Sequence, residues 1–223
     1  MQARYIAPTG VDALLDPDGA AWGSAAVERL KLEGTPLGLQ PTAAIRNAWV
    51  GKSIGVVSGV EVAAVHDGSQ LAFRLEWSDA SENRGLDDTA AFADAAAVLL
   101  PGAAGAPAVT MGASGTPVNA WYWRADEDGH GRHVVAEGLG TTRMLDGDLV
   151  SARGVWKAGR WRVVIARALR VTTSEPVVQL QPGQTTGVAV AVWDGANGER
   201  GGIKAYSGDW RELRLASVPT ARR

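Results

Sequence analysis

Two short stretches carry the chemistry of this chain. Val109-Thr110-Met111-Gly112-Ala113-Ser114-Gly115 and Gly201-Gly202-Ile203-Lys204-Ala205-Tyr206-Ser207-Gly208 each set one donor in a loop rich in Gly and Ser. Met111 offers a thioether, and Lys204 offers an amine once it loses its proton. Such a pair could hold an iron porphyrin from both faces with no covalent attachment. By type alone, Met111 reads equally as a gap-filler and Lys204 as a surface lysine. Nothing local relates positions 111 and 204, so the fold must bring them together.

The chain has no cysteine among its 223 residues. That excludes disulfides, thiolate zinc sites, cysteine-held Fe–S clusters and C-x-x-C-H haem attachment. The basic residues are lopsided, with four lysines (Lys31, Lys52, Lys157, Lys204) against 18 arginines. Arg could not replace a lysine ligand, because its guanidinium does not deprotonate in proteins. A formal net charge of -2 gives no electrostatic reason to expect nucleic acid or an anionic membrane as partner. No apolar run reaches the roughly 20 residues of a membrane-spanning helix. Met1-Gln2-Ala3-Arg4-Tyr5 leads into no apolar segment, so no secretory signal is expected there.

The elements that must position the two loops read mostly as β-structure. Val60–His66 and Gln70–Trp77 flank an Asp67-Gly68 turn, a hairpin signal. The second of these strands should turn Leu71, Phe73, Leu75 and Trp77 inward. Val155–Trp156 and Trp161–Ile165 suggest another hairpin around Ala158-Gly159. Val188–Trp193 has the run of apolar and β-branched residues expected of a central strand buried on both faces. It follows a turn at Gln181-Pro182-Gly183-Gln184. Val118–Arg124 and Arg211–Leu215 are further strands. Thr89–Leu100 is Ala-rich and reads as a helix, although Val98-Leu99-Leu100 reads equally as strand. Many short strands separated by turns predict an antiparallel β-sandwich with a few short helices, one domain over residues 1–223.

Catalytic motifs are missing: there is no G-x-S-x-G, P-loop, H-E-x-x-H or dinucleotide fingerprint. His66 sits at a hairpin turn. His130 and His133 have a metal-like spacing, but they lie in an acidic, Gly-rich stretch that reads better as a solvated loop. Asp87-Asp88 reads better as a turn than as a carboxylate pair. No catalytic residue is expected. Nine tryptophans stand against two phenylalanines. In Trp121-Tyr122-Trp123 the two indoles share one face and Tyr122 takes the other. They suit core packing, a stacking platform for sugars, or the walls of a flat cofactor pocket.

Taken as one block, Met111-Gly112-Ala113-Ser114-Gly115-Thr116-Pro117-Val118-Asn119-Ala120-Trp121-Tyr122-Trp123-Arg124-Ala125 resembles the haem b (γ) subunits of ethylbenzene dehydrogenase and its relatives. These relatives are molybdenum enzymes of the DMSO reductase family that act on dimethyl sulfide, selenate, chlorate or sterol side chains. Further stretches match in order. They are Leu15-Asp16 with Trp22, Ala64–Ser69 running to Arg74-Leu75, and Val190–Gly195 with Asn197 and Glu199-Arg200, continuing into Lys204–Gly208. The resemblance implies a β-sandwich holding one non-covalent haem b, with Met111 and Lys204 as the axial ligands of its iron. Met144 and Lys157 are rivals by type, but neither lies in a matching block. It also implies a heterotrimer with an α subunit carrying the molybdenum cofactor and a β subunit carrying Fe–S clusters. Electrons would pass through the haem to an external acceptor such as a soluble cytochrome. The implied compartment is the periplasm, reached by co-export with a twin-Arg partner, and the implied reaction is oxidation of a hydrocarbon or sterol side chain.

A neutral lysine at pH 7 costs about 4–5 kcal/mol for a free side chain, so the implied site must be buried. Two other readings compete. A carbohydrate-binding module of the same architecture would expose Trp121 and Trp123 and leave Met111 and Lys204 idle. A scaffold subunit without cofactor would have no use for either donor.

Overall fold

The structure is a computed structural model that describes residues 1–85, 92–127 and 129–219. Fifteen strands are formed among the described residues: β1 (Gln2–Tyr5), β2 (Val27–Lys31), β3 (Glu33–Gly34), β4 (Gly59–His66), β5 (Gln70–Ser78), β6 (Ala95–Pro101), β7 (Gly112–Ala113), β8 (Thr116–Arg124), β9 (Gly131–Ala136), β10 (Arg143–Met144), β11 (Val150–Lys157), β12 (Arg160–Ala168), β13 (Thr185–Trp193), β14 (Ala205–Tyr206) and β15 (Arg211–Leu215). Two short helices, α1 (Val11–Leu15) and α2 (Ala43–Ala48), complete the set with three single 3₁₀ turns. The molecule is a β-sandwich with few short helices.

The strands follow one hydrogen-bonded path, β10-β9-β8-β6-β13-β15-β1-β4-β5-β12-β11, folded back on itself. The fold-over lies at β13. Its first half, Thr185–Val188, pairs with β15, and its second half, Ala189–Trp193, pairs with β6. Pairing is antiparallel except at β1, which runs parallel to both β15 and β4. That strand reaches its neighbours by no hairpin, so no tight turn forces it antiparallel.

Both expected hairpins form. β4 and β5 meet at Asp67, whose Oδ1 accepts the N–H groups of Ser69 (2.8 Å) and Gln70 (2.7 Å). β11 and β12 are joined by Ala158 and Gly159 at φ 51° and 74°, the two positive values a type I′ turn needs. Residues 95–101 are strand, not helix. They lie between β13 and β8, Ala95–Leu99 pairing with both, and this pairing outweighs the helical preference of alanine. The rest of the Thr89–Leu100 expectation, and Asp87-Asp88, fall at least in part outside the described residues.

The core answers for the tryptophans. Trp77, Trp121, Trp123 and Trp161 are at most 1% exposed. Trp77 stacks on Trp161 with centroids 6.3 Å apart, and Trp123 meets Trp161 edge-on at 4.9 Å. These indoles join the inward faces of the two halves, together with Val98, Val190 and Ile165. The platform reading of Trp121 and Trp123 is thereby overturned, because neither ring reaches solvent. On the opposite outer face, Leu14, Leu15 and Trp22 cover Ala63, Ala72 and Ala166.

Room for the indole of Trp123 comes from Gly154. A Cβ there would stand 2.2 Å from its ring. Gly154→Val is expected to cost about 1–3 kcal/mol in urea unfolding through overpacking. Gly38→Ala, where a Cβ would meet nothing within 4 Å, should change stability by less than about 0.5 kcal/mol.

Candidate functional site

Because β side chains alternate, the strands that give Val and Trp to the core present their other residues on the outer face. Several of those residues are small: Ala95 and Ala97 from β6, Ala120 from β8, Ala191 from β13. They form the floor of a cavity of about 490 Å³, within the usual range of small-molecule and cofactor sites. Tyr122 and Trp193 rise from it edge to face, with centroids 5.4 Å apart. Ile45 of α2 and Leu139 line it from the connecting segments. Met144, also lining the cavity, is 49% exposed, so the cavity opens to solvent at that edge.

Met111 enters from the loop between β6 and β8. Its backbone is left-handed at φ 56°, which is uncommon for a residue with a side chain and clusters at functional positions. Three backbone bonds hold it. The Met111 N–H donates to Ala108 O (3.0 Å), the Gly112 N–H to Pro107 O (2.8 Å) and the Gly138 N–H to Met111 O (3.1 Å). Gly112 follows at φ 89°, and a Cβ there would lie 2.7 Å from Ala136 O, so the Met-Gly pair is required as a unit.

Lys204 sits just before β14, in a segment sewn to residues far away in sequence. The Thr35 N–H donates to Lys204 O (3.0 Å), and the Thr35 hydroxyl donates to Gly202 O (2.6 Å). Gln40 Nε2 donates to the same carbonyl (3.0 Å), and the Trp193 indole donates to Gly201 O (3.1 Å). The lysine backbone is therefore fixed from three sides.

The two donors meet at the cavity wall. Lys204 Nζ lies 3.4 Å from Met111 Sδ and 5.4 Å from the centroid of the Trp193 ring. Lys204 is 3% exposed, and among the described residues it forms no ion pair. A thioether is a weak acceptor, so the amine is poorly compensated as a cation. Burial accordingly pulls its pKa down to about 8. Deprotonation at pH 7 then costs about 1.4 kcal/mol rather than the 4–5 of a free lysine.

The remaining residues singled out in the sequence go elsewhere. His66 is buried at the end of β4, edge-on to Tyr5. His133 is buried against Asn119 Oδ1 at 3.0 Å and is held neutral, its pKa pushed down to about 4 by burial and by Arg167. His130 is exposed, so the two histidines do not converge on a metal. Met144 lines the cavity, but its sulfur takes the Arg132 guanidinium at 3.2 Å. Lys157 is exposed at the end of β11 and lines no part of the cavity. Three contributors carry no local signal in the sequence: the alanine floor, Thr35 and Gln40. The last two act on residues more than 160 positions away.

The lowered lysine pKa has a testable sign. An unfolded lysine keeps its proton to about 10.4, whereas the folded one releases it near 8. In cofactor-free protein the burial penalty is full below pH 8 and fades as pH rises towards 10.4. Stability in urea should gain about 3 kcal/mol across that window from this group. Lys204→Met should remove the gain and raise stability at pH 7 by a similar amount.

The family described as ethylbenzene dehydrogenase matches residues 21–148 and 139–205 of the chain. The protein ORF7 of Haloferax mediterranei, provisionally assigned as a respiratory nitrate reductase heme subunit, is 31% identical over 204 residues, 91% of this chain and 69% of its own length. The chlorate reductase subunit gamma of Ideonella dechloratans is 37% identical over 155 residues, 68% of this chain and 63% of its own length, so the chain spans less than two thirds of that relative. Among solved structures, a family 9 carbohydrate binding module from Caldicellulosiruptor kristjanssonii with glucose has a TM-score of 0.52 at 11% identity, covering 100% of this chain and 98% of that one. That likeness is one of fold. The matched segments span both donor loops and most of the strands between them, and the chain belongs to the ethylbenzene dehydrogenase family.

Proposed function

We propose that this chain is a non-catalytic electron-transfer subunit that binds one haem b, with Met111 and Lys204 as the axial ligands. The observation that carries the reading is a buried lysine amine, without a counter-ion among the described residues, 3.4 Å from a methionine sulfur at the wall of an apolar cavity. The names of the relatives, a heme subunit and a gamma subunit, support it.

The donor set fits the group. Imidazole and thiolate are unavailable in the cavity, and an aliphatic amine and a thioether are what the chain supplies there. The alanine floor is free of bulky side chains, as a flat macrocycle needs. Bound there, haem b supplies a one-electron centre. The chain's own part is to lower the cost of deprotonating Lys204 Nζ, which burial does, leaving about 1.4 kcal/mol at pH 7 for the bond to iron to offset. It also presents Met111 from a loop whose backbone is fixed by three bonds, and it keeps water off the floor with apolar side chains. With Met111 and Lys204 both holding the group, substrate and oxygen would have no place to bind, and the subunit would relay electrons.

The partners belong to the same proposal. They are an α subunit with the molybdenum cofactor, a β subunit with Fe–S clusters as electron donor, and an external acceptor such as a soluble cytochrome. The assembly is proposed to be periplasmic, exported with a twin-Arg partner, and to oxidise a hydrocarbon or sterol side chain. The resemblance to γ subunits supports this. No helix among the described residues is long and apolar enough to cross a membrane.

Absorption spectra of the chain purified with its partners, oxidised and dithionite-reduced, with a pyridine haemochrome, test the proposal. A low-spin b-type spectrum at about one haem per chain is expected. Lys204→Ala should convert it to a five-coordinate or water-ligated spectrum, or lose the haem. Met111→Ala should shift the potential and weaken binding, while Lys157→Ala leaves both unchanged and Met144→Ala keeps the low-spin spectrum. An unaltered low-spin spectrum in Lys204→Ala would sink the ligand assignment.

A further inference from the structure

Three carboxylates converge where strands from both halves of the sandwich end. Asp79 follows β5, Asp94 precedes β6, and Asp194 follows β13. One oxygen from each lies within 4.8 Å of the other two. Asp94 is wholly buried, Asp79 is 5% exposed, and Asp194 is half-buried. None of the three forms an ion pair among the described residues.

Hydrogen bonds account for part of this charge. Asp94 Oδ2 accepts the Asn83 N–H (2.8 Å) and the Trp161 indole N–H (2.9 Å), and its Oδ1 accepts the Gly195 N–H (2.8 Å). Asp79 Oδ1 takes the Ser81 N–H (3.1 Å), and Asp194 Oδ1 takes the Asn197 N–H (3.0 Å). Asp79 Oδ2 is different: it is buried and, among the described residues, meets no donor at full hydrogen-bond geometry. The indole N–H of Trp77 is directed at this carboxylate and stabilises its charge in part, without reaching full hydrogen-bond geometry. A single N–H donor serves one lone pair and brings no positive charge. Burial, and with it the Asp79 charge, pushes the Asp94 carboxyl up to about 7, a measure of how poorly the cluster tolerates its own charge.

A buried group of like charges with an unsatisfied oxygen is stable with a cation among them. The donors are all carboxylate oxygens, which select hard ions over zinc or copper. Magnesium keeps several waters and is usually held by one or two carboxylates. Three carboxylates, two of them buried, suit the larger and more weakly hydrated calcium.

We propose that Asp79, Asp94 and Asp194 bind a calcium ion that ties the ends of β5, β6 and β13 together across the two halves of the sandwich. The site is separate from the haem cavity, and the proposal does not rest on the haem reading. It braces the strand end that leads into the Lys204 segment, since the Asp194 N–H is held by Glu199 Oε2 at 3.1 Å.

Thermal unfolding of the full chain after chelator treatment, with and without Ca²⁺, provides the test. Ca²⁺ at a hundredfold excess over its Kd should raise the melting temperature by about 5–10 °C, and Mg²⁺ at equal concentration by clearly less. Tb³⁺ should bind with emission sensitised by indole excitation, since Trp161 donates to Asp94, and Ca²⁺ should displace it. Asp79→Asn removes one like charge. It should melt at or above the wild-type temperature in chelator, yet lose the Ca²⁺ shift and the sensitised emission. No Ca²⁺ shift in the wild type, an equal response to Mg²⁺, or an Asp79→Asn variant that still responds like the wild type would each overturn the proposal.

Discussion

Strands β6, β8 and β13 have to be apolar on both faces for opposite reasons, and that double demand shapes the molecule. One face must fill the gap between the two halves of the sandwich, and it does so with large groups: Val98, Leu100, Trp121, Trp123, Val190, Val192. The other leaves room for the cavity with Ala95, Ala97, Ala120 and Ala191 at its floor, beside Tyr122 and Trp193. Period-two alternation lets one strand meet both demands residue by residue. A slip of one residue in register would turn Trp121 and Trp123 into the cavity and Ala120 and Tyr122 into the core, so the cavity and the core specify each other.

The donor pair depends on that sheet. Met111 leaves it through the β6–β8 connection and Lys204 through the β13–β14 connection, and the two connections emerge over the same floor. Each donor's backbone is then held by hydrogen bonds, so the fold itself sets where the sulfur and the amine meet. The cost of this arrangement is a lysine without a counter-ion. A conventional core would place a leucine or methionine there, and keeping an amine is intelligible as chemistry kept in readiness.

The carboxylates beside the end of β13 show a related economy. The end of β13 carries Trp193 towards the cavity and Asp194 towards Asp79 and Asp94, so one strand terminus serves both sites. Glu199 links them. Its Oε2 accepts the Asp194 N–H and its Oε1 the Gly55 N–H, while the residue itself lines the cavity.

Local signals in the sequence determined much of this. Asp67-Gly68 and Ala158-Gly159 marked their hairpins because turn chemistry acts over two to four residues. Val188–Trp193 declared a central strand because burial on both faces leaves an unbroken apolar run. Met111 and Lys204 were legible as donors by residue type, and as a pair through the resemblance of their surrounding blocks. Tertiary structure decided the rest. Residues 95–101 became strand because β13 and β8 claimed their backbone groups. Trp121 and Trp123 became core because Gly154 made space for one indole across the sandwich. Thr35, Gln40 and the Asp79–Asp94–Asp194 cluster gained their roles only when distant segments met. No pattern within a window of residues encodes a contact across a hundred of them, and it is the closing of the sheet on itself that creates those contacts.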